Sequence, residues 1–333
     1  ELSECQAVMA AGEPGMQVFI EDVTDELGGG APESNPVLWT ALEVGGSVPA
    51  PRGGHSATLV GNRIIIWGGA DRQQQYQPGV YALNLSTTRW EQLEAKGKAP
   101  DPRSGHSAVA WGEDGIVIYG GMSTVLEKFF GDCWLLQIKG ADVTWSEPEA
   151  CGEPALKRNS HSASLVSAGP RAGSMIVVGG GFEEGLKFNV QVADLNGLPA
   201  RVTWTTITNA SLEKMGGREM HAACCVGSKL LIFGGRTGTG ETVSDELVTV
   251  DVASMQLLAL DRTGMQRCGH AIASAPGTGA FVTGGIDMTG PFAYDDLLRF
   301  QLESQPATLE EREKEDASAQ AAEGAGGGGT EKQ

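Results

Sequence analysis

Basic residues are scarce in this chain of 333 residues: 24 Lys+Arg stand against 42 Asp+Glu, a net charge of −18. A surface so acidic repels phosphate backbones and anionic lipid, which argues against nucleic acid and membrane surfaces as partners. No apolar run approaches the roughly 18 to 20 residues of a bilayer span, so membrane insertion is not expected. There is no basic and apolar leader, so secretion is not indicated, and the start at Glu1 rather than Met leads to the expectation of an upstream part that was removed or processed. The six cysteines (Cys5, Cys133, Cys151, Cys224, Cys225, Cys268) include no C-x-x-C pair. A reduced, cytoplasmic protein is the simpler reading, and a cytoskeletal or ciliary assembly fits it equally well. Aromatic residues make up 6%, and there are only five histidines.

Glycine, by contrast, is abundant, with 48 residues, and hydrophobic residues reach 41%, the material of a core cut by many turns. All five histidines occupy one register. An Arg-x-x-His segment is followed by an apolar run closed by Gly-Gly at Arg52/His55 with Gly68-Gly69, and again at Arg103/His106 with Gly120-Gly121. The unit recurs at Arg158/His161 with Gly179-Gly180, at Arg218/His221 with Gly234-Gly235, and at Arg267/His270 with Gly284-Gly285. The His-to-His steps are 51, 55, 60 and 49 residues, and a period near 50 marks a repeat architecture, overriding the two-domain prior of the length. Each unit holds two short strands, a loop of about ten residues, and a third strand. In most copies a fourth strand carries a Trp, at Trp39, Trp90, Trp145 and Trp204, with Leu257 or Leu258 in the next copy. Four such strands form an antiparallel meander that buries both faces only against copies of itself, which is the logic of an all-β propeller.

The apolar run ending in Gly-Gly, with an aromatic and then a Trp beyond it, resembles the kelch-repeat family, whose fold is the kelch-type β-propeller. The resemblance covers residues 37 to 303 well and 4 to 36 poorly. Five repeats are expected at about 45–94, 95–146, 147–208, 209–259 and 260–303. Residues 1–44 read as a degenerate repeat and closing strand, so six blades are favoured and five are the alternative. In this reading Val37–Leu42, around Trp39, is the candidate to complete the last sheet. Thr308 and Glu311 have capping-box spacing in an acidic tail, 304–322, that favours a short helix, and the Gly-rich 323–333 should be disordered.

The histidines, spread one per blade, do not converge as metal ligands must. The imidazoles are read as structural, bonded to backbone at each blade start and partnered by the Arg three residues earlier. The Gly-Gly pairs are read as tight turns between blades, and the tryptophans as inter-blade packing. Asp132, Asp194, Asp245 and Asp295 are assigned to turn capping. Adjacent acids such as Glu183-Glu184 point to opposite faces of a strand and make poor acid/base pairs. The copper radical oxidases that share the kelch propeller need histidines beyond the repeat role, and none is spare. The iron-dependent specifier proteins of the same fold use Glu-x-x-x-Asp-x-x-x-Cys, whose first half matches Glu241 to Asp245, but Thr249 stands where Cys is required. No catalytic set, metal or cofactor is therefore assigned.

A meander places the link entering strand one and the link between strands two and three at the same end of each blade. Those links are the long, variable ones, so recognition is expected on that loop face. Its candidate partner-binding residues are Arg72 and Tyr76, Lys128, Phe129 and Phe130, Phe182 and Phe188, Arg236, Phe292 and Tyr294. Phe129-Phe130 is the favoured anchor, since adjacent aromatics on a loop are hard to bury together and aromatic and Arg residues dominate interface hot spots. With no catalytic set in view, the chain is expected to be a non-catalytic scaffold or adaptor that binds a protein partner through this loop face. The alternatives are the substrate-recognition module of a ubiquitin ligase or the regulatory domain of a larger enzyme, and, less favoured, a metal-dependent enzyme using the central channel.

Overall fold

The computed structural model describes residues 18–22, 43–275, 279–289, 294 and 296–302. These residues form five meander sheets arranged in chain order around a common axis. Blade 1 comprises Ser56–Val60, Arg63–Trp67, Val80–Asn84 and Arg89–Leu93, from the inside outward. Blade 2 runs Ser107–Trp111, Gly115–Tyr119, Cys133–Lys139 and Asp142–Ser146, and blade 3 runs Ser162–Leu165, Ser174–Val178, Val190–Asp194 and Arg201–Thr206. Blade 4 follows with Ala222–Val226, Lys229–Phe233, Glu246–Asp251 and Gln256–Arg262. In blades 1 to 3 a short segment of the lead-in (Gly45–Gly46, Ala95–Lys96, Glu149–Gly152) adds a fifth, parallel strand at the outer edge. The lead-in to blade 4 instead holds a one-turn helix, Ala210–Glu213, capped by the Asn209 side chain on the Ser211 amide.

Blade 5 departs from expectation. Its strands Ala271–Ala275, Gly279–Thr283 and Leu297–Leu302 are completed by Val18–Asp22, antiparallel to the third strand with Val18 opposite Leu302. The partner of the Leu297–Leu302 edge is Val18–Asp22; the expected closing strand, Val37–Leu42, lies outside the described residues. The physical reason is the unpaired edge of Leu297–Leu302, whose backbone groups need a partner. Most of the expected sixth unit, and the helix expected in the tail, also lie outside the described residues.

The core sits between blades. Val60, Ile65 and Trp67 of blade 1 pack on Ile116, Ile118 and Trp134 of blade 2, and the same face-to-face packing joins blades 2 and 3, 3 and 4, and 4 and 5. Trp145 meets Trp67 with ring centres 5.3 Å apart, and Trp204 meets Tyr119 at 4.5 Å. At the arc's two ends these faces lack a described neighbour: Leu59 is 58% exposed, Ala57, Ala271 and Ala273 are exposed, and Trp90 is only half-buried. No helix among the described residues is long and apolar enough to cross a membrane.

Candidate functional site

Strand one begins, and strand two ends, at the same end of every blade, as the bridges Gly53–Ala70, Ser104–Met122, Asn159–Gly181 and Cys268–Ile286 show. This end carries the repeat residues, and their roles differ from the expected ones. Each arginine of blades 2 to 5 is buried and serves its own blade. Arg103 donates to the Gly120 carbonyl at 3.0 Å and to Asp132 Oδ2 at 2.9 Å. Arg218 reaches Glu246 at 2.8 Å, and Arg267 grips both oxygens of Asp296 at 2.8 and 2.7 Å. Arg158 has neutral acceptors, the Gly179 carbonyl at 2.9 Å and Gln191 Oε1 at 2.9 Å. Burial works against ionisation of Asp132, but the hydrogen bond and charge of Arg103, with the Trp134 N–H, outweigh it and hold the carboxyl below its usual range. The acids assigned to turn capping are thus partly arginine counter-ions, and in blade 5 the working residue is Asp296. Asp194 ends its strand rather than beginning it.

The histidines look across to the preceding blade. His106, His161 and His221 place Nε2 at 2.9, 2.8 and 2.9 Å from the hydroxyls of Ser56, Ser107 and Ser162. The imidazole stands beside the Gly-Gly corner of its neighbour, which brings it to that blade's serine, and His221 also has a backbone hydrogen bond with Val178. In blade 4 the serine position is Ala222, and His270 keeps an edge contact with Phe233 at 5.1 Å. Desolvation, reinforced by the repeat arginine, lowers His106 and His270 to about 3 and His161 and His221 well below the usual value. All four are neutral near pH 7, unsuited to acid/base work at that pH. No group of three or more potential metal ligands occurs among the described residues. Burial pushes the thiols of Cys133 and Cys224 up to about 12 and that of Cys225 to about 11, which keeps them in the unreactive thiol form.

Beyond each Gly-Gly, the loops carry the candidate binding residues. Phe130 is not an anchor for a partner: it is 2% exposed, with the Arg103 guanidinium 3.7 Å from its ring centre. A planar cation with no water above it needs a cover, and Phe130 provides it. Phe182 and Tyr294 stand over Arg158 and Arg267 in the same way, at 5.0 and 4.2 Å. Phe188 packs on the core between blades 3 and 4. Arg236 is drawn back to the Gly240 carbonyl at 2.6 Å and lies 3.7 Å from Glu219. The Tyr76 hydroxyl accepts from the Thr124 amide at 2.7 Å, tying the loops of blades 1 and 2 together. Phe129 is half-buried, while Arg72 and Lys128 are exposed. Phe292 lies outside the described residues.

The exposed bulk of this face is aliphatic. Val125 is 68% and Leu126 49% exposed, at the tip of the hairpin Met122–Ser123 and Lys128–Phe129, and Met288 is 57% exposed on the blade 5 loop. Reasoning from aromatic content missed them. The usable signal was an aliphatic pair in a segment bounded by Gly121 and Gly131, too short to alternate into a strand.

Fold and corner chemistry together define a kelch-type β-propeller. The family model described as the KLHDC2/KLHL20/DRC7 Kelch-repeats domain matches residues 33–195 and 141–308, and the chain belongs to this kelch-repeat family. It is 30% identical over 149 residues to acyl-CoA-binding domain-containing protein 4 of Arabidopsis thaliana, across 45% of this chain and 21% of that protein. It is 28% identical to the serine/threonine-protein phosphatase BSL2 of Arabidopsis thaliana over 291 residues, 78% of this chain and 27% of the relative. Host cell factor 1 of Homo sapiens is 28% identical over 271 residues, 69% of this chain and 13% of that protein. The chain therefore spans about a quarter or less of the length of these curated relatives. The solved structure of YjhT superposes with a TM-score of 0.61 at 14% identity, covering 76% of this chain and 84% of that one, a likeness of fold.

Proposed function

We propose that this chain is a non-catalytic protein-interaction module that binds its partner through the loop face, as a scaffold or adaptor. The observation that carries it is the Val125–Leu126 tip, two solvated aliphatic side chains on a hairpin whose root is fixed by buried Phe130. Exposed apolar groups on a rigid base suit a protein surface. The repeat histidines support the non-catalytic part, since each is neutral near pH 7 and committed to blade packing. The relatives are much longer than this chain, which favours a module acting within a larger protein or assembly. A cytoplasmic setting belongs to the same reading, supported by five free cysteines.

Affinity capture with the wild-type chain and with V125D/L126D tests the reading. The double variant should lose captured partners and keep the wild-type Tm. Leu85→Asp, at an exposed position on the opposite, turn-built end, should keep both. Retention of every partner by V125D/L126D would place recognition elsewhere.

A further inference from the structure

The outer edge of blade 4 is built unlike those of the three blades before it. In blades 1 to 3 the lead-in lays a parallel strand along the fourth strand, at Gly45–Gly46, Ala95–Lys96 and Glu149–Gly152. In blade 4 the lead-in forms the helix Ala210–Glu213 instead, and no described segment pairs with the outer side of Gln256–Arg262. The helix reaches only the start of that edge, where the Ser211 hydroxyl accepts from the Leu257 amide at 3.2 Å. Beyond the register shift at Thr249/Val250 the strand is regular from Ala259 to Arg262. In an antiparallel pair every second residue turns its N–H and C=O away from the partner strand, so this edge is a template for a further strand.

Its side chains do little to discourage pairing. The fourth strands of blades 1, 2 and 3 begin with a charge, Arg89, Asp142 and Arg201, whereas Gln256-Leu257-Leu258-Ala259-Leu260 carries none. Leu257 and Leu260 pack on the core between blades 3 and 4, but Leu258 is 47% exposed. The two charges that follow are placed differently. Arg262 is held by Asp245 at 2.8 Å and by Glu246 at 3.0 Å. Asp261 has no ion-pair partner among the described residues, and burial raises its carboxyl above the usual value. We propose that this edge takes an extended, basic segment of a partner protein by β-augmentation, pairing along Leu258 to Arg262, with an apolar side chain against Leu258 and a Lys or Arg at Asp261. In such additions main-chain bonds supply affinity and side chains supply choice. A net charge of −18 steers a basic segment toward the chain and opposes a second copy pairing edge to edge. The site lies on an outermost strand and does not rest on the Val125–Leu126 tip.

The test is fluorescence polarisation on the full chain with a labelled peptide of alternating valine and lysine, acetylated and amidated at its ends. Saturable binding is expected, and a peptide with glutamate in place of lysine should not bind. N-methylation of one set of alternate peptide amides should abolish binding, and of the other set should leave it, since only one set faces the edge. Leu258→Ala should weaken binding about fivefold and Asp261→Asn about threefold. V125D/L126D should bind the peptide as the wild type does, which separates this site from the loop face. Equal loss on methylating either set, unchanged affinity in L258A, or equal binding of the glutamate peptide would overturn the proposal. So would failure of the lysine peptide to bind, with another segment of the chain then covering the edge, or a wild-type dimer in sedimentation equilibrium that L258A makes monomeric, with a second copy covering it.

Discussion

The guanidinium carbon of Arg103 lies over the ring of Phe130, 3.7 Å from its centre, and both side chains are buried. The pair joins the start of a blade to the loop that follows its Gly-Gly corner. Truncation of Phe130 therefore exposes a charge as well as opening a cavity. Phe130→Ala should cost about 3–5 kcal/mol by urea denaturation, the range for a buried Phe. Phe129→Ala, at a half-buried site, should cost less than half as much. Equal costs would mean that Phe129 and Phe130 share the cover.

Gly68 should resist substitution. Its φ is +70°, and a Cβ there would lie 2.6 Å from His106 Cε1 and 2.9 Å from the Arg103 carbonyl. Gly68→Ala combines left-handed strain with a clash against the next blade, about 2–4 kcal/mol together. Gly61, at φ +56° with nothing near its Cβ position, carries the strain alone. Gly61→Ala should cost about 1–2 kcal/mol, and the difference between the two midpoints measures blade-to-blade contact.

The buried imidazoles predict an acid-sensitive fold. Burial lowers His106 and His270 to about 3, while their unfolded value stays near 6.5. Below pH 6.5 the unfolded chain takes up protons that the folded chain refuses, so their stabilising effect is complete above 6.5 and is lost as pH falls toward 3. Between pH 7.5 and 5 each should contribute a loss of about 2 kcal/mol, read as a falling urea midpoint. Substituting His270 by Asn should flatten that slope. An unchanged slope would mean that His270 protonates freely in the folded state.

The repeat was open to reading because its marks are local. Arg-x-x-His, the apolar run and Gly-Gly recur within one meander, and the strands fall where alternating apolar residues and turn glycines put them. Asp132 shows the limit: its place before a strand was visible, but its role depends on Arg103, 29 residues away. The histidines show another, since His161 and its partner Ser107 stand 54 residues apart in different blades.

The loop face divides the same way. Its existence follows from strand order, a property of the chain alone. Which loop residues meet solvent does not, because aromatic side chains fold back wherever a buried guanidinium lies beneath them. Phe130, Phe182 and Tyr294 are drawn inward over Arg103, Arg158 and Arg267, and Val125 and Leu126 remain outside. The chain's period settled the architecture through contacts close in sequence, and the packing of one blade on the next decided which side chains are left for a partner.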